Sequence, residues 1–104
     1  MNFKEIQKYI KDRNYLFSEH ADEERAKDEL TVEEVEEAIL AGKMIEERMD
    51  DSRGESKLIS GKSKNGRLIH VVIGLRFGKP VIVTNYLPSE NEWLHGTIRR
   101  GKNE

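Results

Sequence analysis

A chain of 104 residues with a formal net charge of −2 has room for one modest hydrophobic core and not for an independent second unit. It has no cysteine, which excludes a disulfide framework and a thiolate metal site, and no apolar run near the roughly 20 residues a bilayer helix needs. No stretch resembles a signal peptide, so the sequence predicts a cytoplasmic protein with no membrane partner and no cofactor. The charge is divided: residues 1–52 carry 8 Lys and Arg against 16 Asp and Glu, and residues 53–104 carry 10 against 4. Near-neutrality argues against tight non-specific binding to a polyanion, yet a basic surface is where a nucleic acid or an acidic partner settles.

Phe3, Ile6 and Ile10 recur at helical spacing in FKEIQKYIKDR, a short amphipathic helix with a narrow apolar stripe. After NYLF, the stretch SEHADEERAKDE offers Ser18 as N-cap and Ala21 and Ala26 as helix formers on a charged surface. LTVEEVEEAILAGK carries the clearest helix signature. Thr31 and Glu34 make a capping box, Val35, Ala38 and Ile39 share a face, and Gly42 ends it. The pattern then changes period. KMIEERM is a candidate strand, DDSRGES a loop and KLISGKSK a second strand; Asn65 and Gly66 then give a strong hairpin signal before RLIHVVIGL. A turn through Phe77 and Gly78 leads to KPVIVTNYL. The prediction is a single α+β domain over 1–96, N-terminal helices packed on a four-stranded antiparallel meander, with 97–104 a frayed tail.

A two-residue turn at Asn65 and Gly66 places Ile69 opposite Lys62, Val71 opposite Ser60 and Ile73 opposite Leu58. A second at Phe77 and Gly78 places Gly74 opposite Val81 and His70 opposite Asn85. One sheet face then carries Leu58, Ile69, Val71, Ile73, Ile82, Thr84 and Tyr86, and the other Ile59, Leu68, His70, Val72, Val81, Val83 and Asn85. Both are largely apolar, so both should be covered, one by helices and the other by the N-terminal helix, a second copy in a homodimer, or a partner protein. His70 is then either a buried imidazole satisfied by Asn85 or a cleft histidine beside Arg67.

His20 and Glu24 stand one helical turn apart, a spacing that suits a general base with its orienting carboxylate or an ordinary exposed ion pair. His20, His70 and His95 lack metal-ligand spacing, and no metal site is expected. Arg53 and Ser56 flank Gly54 in a loop that offers a phosphate contact or plain loop chemistry. Tyr86, Glu90 and Trp93 lie at and beyond the last strand, where aromatic rings either stack on a base or clamp the strand end onto the core. A phosphate loop, a nucleophile elbow and a dinucleotide fingerprint are absent.

Three stretches, FSEHADEERAKDELTVEEVEEAILAGKMIEE, DSRGESKLISGKSKNGRLIHVVIGL and KPVIVTNYLP, together resemble the small prokaryotic family known as domain of unknown function 4258 (DUF4258). The matching positions are Ser18, His20, Ala21, Val35, Gly42, Gly66, Arg67, His70, Val71, Val72, Thr84, Tyr86 and Pro88. The chain departs from that pattern at Glu24, where arginine is frequent, and at Asn85, where an apolar residue is usual. The order of elements is similar to the ribonuclease-toxin folds of the BrnT and RelE type. The resemblance implies the toxin half of a type II toxin-antitoxin pair, cleaving RNA without metal and held by an antitoxin protein. In that scheme His20 or Glu24 is the base, Arg67 and Arg53 stabilise the phosphorane, His70 or Tyr86 is the acid, and Asn85 contacts substrate. It requires His20 and His70 to bracket one phosphate. The rival is a non-catalytic protein-interaction module using an apolar sheet face and the acidic helical surface. A small-molecule enzyme is a third class for which these residues suggest no substrate.

Overall fold

The computed structural model describes residues 1–49 and 54–89 and the backbone of 50, 93–94 and 98–99. Its elements are α1 (Phe3–Lys11), β1 (Leu16–Phe17), α2 (Glu19–Lys27), α3 (Val32–Ala41), β2 (Lys43–Asp50), β3 (Gly54–Lys62), β4 (Leu68–Arg76), β5 (Lys79–Tyr86), β6 (Trp93–Leu94) and β7 (Ile98–Arg99). The fold is α+β, with three helices against a sheet of order β1-β5-β4-β3-β2. That sheet has one strand more than expected. β1 runs parallel to β5, pairing Leu16 with Val81 and Phe17 with Ile82, and two residues are too few to show a period in the sequence. β6 and β7 pair antiparallel, and Ile98 and Arg99 are the only residues of 97–104 within the described set.

Each helix is fixed at its start by a side-chain cap. Asn2 and Glu5 cap α1 reciprocally, Ser18 caps α2, and Thr31 with Glu34 caps α3. Ile6 and Ile10 of α1, Ala21 of α2 and Val35, Ala38 and Ile39 of α3 form the core with Ile59, Ile69, Val71, Ile73 and Ile82 of the sheet. Gln7 of α1 donates to the carbonyls of Ile39 and Leu40 at 3.1 and 3.2 Å, satisfying groups that the end of α3 leaves open. Gly42 ends α3 in an extended conformation, so its need for glycine is not a left-handed turn. A Cβ there, or at Gly61 beneath it, meets the Ala38 carbonyl; the two glycines let α3 lie directly on β3.

The β3–β4 turn overturns the register read from Asn65 and Gly66. Ser63 and Arg67 close a three-residue loop: the Ser63 amide donates to the Arg67 carbonyl at 3.0 Å, the Gly66 amide to the Ser63 carbonyl at 2.9 Å, and Gly66 has φ 87. The Ser63 hydroxyl also contacts Asn65 and accepts from the Arg67 amide, which favours the longer loop. Ile69 therefore faces Gly61, Val71 faces Ile59, and Leu58 goes to the opposite side from Ile59. The Phe77 and Gly78 turn is as expected, with Arg76 opposite Lys79 and Gly74 opposite Val81. Beyond it a bulge at Val83 shifts the pairing, so His70 faces Tyr86 and Asn85 faces Val71. His70 and Asn85, expected as partners, lie on opposite faces. The helix face carries Ile59, Ile69, Val71, Ile73, Ile82 and Asn85, whereas the other carries Leu58, Ser60, His70, Val72, Thr84 and Tyr86.

Candidate active site at the outer edge of β5

The Ser18 hydroxyl accepts from the Ala21 amide and donates to the Val83 carbonyl, both at 3.0 Å. It thus caps α2 and ties it to the bulge. Asn85, fully buried, donates through Nδ2 to the Ala21 carbonyl at 3.0 Å. These two bonds hold the first turn of α2 against β5. One turn later the Glu24 carboxylate reaches the same strand, accepting from the Thr84 hydroxyl and from the Asn85 amide at 3.4 Å. β1 pairs only with Val81 and Ile82, so Glu24 serves backbone that β1 leaves open. The same carboxylate oxygen lies 3.3 Å from Nε2 of His20, whose side chain is 69 % exposed. A fixed carboxylate therefore orients an imidazole that solvent reaches.

Thr84 and Tyr86 share a face of β5, about 7 Å apart by strand geometry. The Tyr86 hydroxyl is 3.4 Å from Nδ1 of His70, and the rings meet edge-on with centroids 5.4 Å apart. His70 is fully buried. Tyr86 is half-buried and lines a pocket of about 180 Å³ with Glu46, Arg48, Ser56, Leu58 and Val72. Glu24 of α2, with His20 beside it, thus meets β5 at Thr84, two residues before Tyr86, whose ring meets His70 of β4.

Ser18, His20 and Ala21 join Thr84 and Tyr86 here across more than sixty residues of sequence. Residues 17–86 match the family described as domain of unknown function (DUF4258). The chain belongs to that family. No curated protein and no solved structure matches it. The DUF4258 match begins one residue before the α2 cap and ends at Tyr86, so it encloses His20, Glu24, His70 and Tyr86.

Other residues singled out in the sequence have structural occupations or fall outside the described set. The Arg67 guanidinium donates to the carbonyls of Glu29 at 3.0 Å and Asp28 at 2.8 Å and lies 3.5 Å from the Glu34 carboxylate; it fastens the end of α2 to β4. Asn85 is enclosed between α2 and the sheet. Arg53, Glu90 and His95, and the side chain of Trp93, lie outside the described residues. Among the described residues no three His, Asp or Glu side chains converge as metal ligands, and no helix is long and apolar enough to cross a membrane.

The sequence reading missed Thr84 as the anchor of Glu24 and Arg48 as a neighbour of Tyr86. The alternation TNY, which sets Thr84 on the face of Tyr86, was the available signal for the first. It also missed Lys57, only 4 % exposed on the helix face and ion-paired with Glu55 and, at 2.9 Å, with Glu47. Tyr15 donates to Glu36 at 2.7 Å. Burial first, and then that carboxylate, push its phenol well above the ordinary tyrosine range.

Proposed function

We propose that this DUF4258 domain is a cytoplasmic, metal-independent endoribonuclease, the toxin component of a toxin-antitoxin pair, working at the outer edge of β5. The observation that carries the reading is the exposed His20 imidazole held by a carboxylate that Thr84 and the Asn85 amide fix in place. Tyr86 stands two residues along the same face. In this scheme His20 removes the proton of a ribose 2′-hydroxyl and the 2′-oxygen attacks phosphorus. The bond to the 5′-oxygen breaks as Tyr86 donates its proton to that leaving group, and His20 afterwards returns a proton to the phenolate through solvent. The products are a 2′,3′-cyclic phosphate and a free 5′-hydroxyl. His70 acts as a positioning residue for Tyr86, because its buried ring cannot touch substrate.

RNA cleavage by the purified protein in chelator tests this reading. Wild type should cut, and His20→Ala, an exposed substitution that leaves the fold intact, should slow cleavage about 100-fold or more. Equal rates for the two proteins would remove His20 from the chemistry.

The rival, a non-catalytic interaction module docking an antitoxin-like protein or a second copy of the chain, draws support from Phe77, 91 % exposed at the tip of the β4–β5 turn. Wild-type protein that binds such a partner through Phe77 and cuts no RNA would favour it.

A further inference from the structure

The pocket beside Tyr86 crosses four strands. Tyr86 stands on β5, Val72 on β4, Leu58 and Ser56 on β3, and Glu46 and Arg48 on β2. Register places Val72 opposite Leu58, Leu58 opposite Glu46, and Ser56 opposite Arg48. The site therefore has an aliphatic floor, an aromatic ring at one end, and at the other a guanidinium and a carboxylate 3.1 Å apart. An inorganic anion suits neither that floor nor that carboxylate. The volume, about 180 Å³, is below that of drug-sized sites. What fits is a small, flat, uncharged ring system with acceptors on one edge and donors on another.

We infer that this pocket takes one nucleobase of the RNA and prefers guanine; the inference rests on the ribonuclease reading above. Guanine presents O6 and N7 as paired acceptors to a guanidinium fork. Its N1–H and N2 amino group are paired donors matching the two oxygens of a carboxylate. Adenine turns an amino donor toward Arg48 where guanine has O6 and offers Glu46 no N1 proton, so it mismatches both. Tyr86 supplies the ring against which a base packs.

The test is NMR titration of the intact protein with guanosine 3′-monophosphate and with its adenosine, uridine and cytidine counterparts. The expected result is binding of the guanosine nucleotide about ten-fold or more tightly than the others, with the preference lost in Glu46→Gln and Arg48→Ala. Arg48 is 66 % exposed on the terminal strand of the sheet, so its replacement leaves the fold in place. Equal affinity for all four nucleotides, or a preference that survives both substitutions, overturns the inference. Cut-site mapping on a mixed-sequence RNA separates the two levels. Cleavage without preference for guanosine overturns the pocket assignment and leaves the nuclease standing, whereas guanosine-selective binding with no cleavage supports the pocket and sinks the nuclease.

Discussion

One carboxylate oxygen of Glu24 meets the Thr84 hydroxyl, the Asn85 amide and the His20 ring. Only the last was legible in the sequence, because i,i+4 spacing on a helix is local and the strand contacts are not. Arg67 shows the reverse. The family resemblance implied a phosphate ligand, whereas the guanidinium fork closes on two backbone carbonyls at the end of α2. Arg67→Ala should therefore cost about 1–3 kcal/mol of stability in urea unfolding; a loss within experimental error would show that those bonds contribute nothing. Glu34 gives a pH dependence. The Thr31 amide first, and then Asn65 and Arg67, hold its carboxyl below the ordinary value of 4.5. The folded chain then binds fewer protons than the unfolded chain, so this stabilisation is complete above about pH 4.5 and fades as pH falls through the lowered value. Glu34→Gln should flatten the acid limb of the stability curve between about pH 5 and pH 3, and an unchanged limb would assign it to other carboxylates.

At the scale of elements, the helices were legible because caps and apolar spacing are written in adjacent residues: Thr31 and Glu34 bracket the start of α3 where the structure has it. The sheet was legible in its strands and in the Phe77 and Gly78 turn, but not in its register. Asn65 and Gly66 do form a turn, yet Ser63 and Arg67 close it one residue further out, and the slip exchanges the faces of β3. The bulge at Val83 escaped for a different reason. It lies where the Ser18 hydroxyl binds the Val83 carbonyl, a contact between segments 65 residues apart that no local pattern announces. The packing of α3 on β3 yields its own prediction. Gly61→Ala drives a methyl into the Ala38 carbonyl and should destabilise by about 2–3 kcal/mol, read from the urea midpoint. A loss below about 0.5 kcal/mol, the scale of an ordinary surface change, would mean that the two elements part at little cost.

Over the whole molecule, the contrast between an acidic first half and a basic second half is partly consumed inside the fold. Glu37 accepts from the Lys64 amide at 3.0 Å, and Glu34 from Asn65 at 3.0 Å with Arg67 nearby, so the acidic start of α3 docks on the basic β3–β4 turn. The α+β class followed from the order of patterns along the chain. The meeting of α2 with the end of β5 did not, because it depends on β1 joining β5 in parallel across the rest of the domain. That junction makes the site, and it can be probed without relying on turnover. Backbone and side-chain NMR of the protein with a 2′-O-methyl RNA, which lacks the hydroxyl that the proposed reaction needs, tests whether RNA binds there. Perturbation of His20, Glu24, Thr84 and Tyr86 together is the expected result; perturbation confined to α1 and α3, or none at these four residues, would contradict a ribonuclease site on β5.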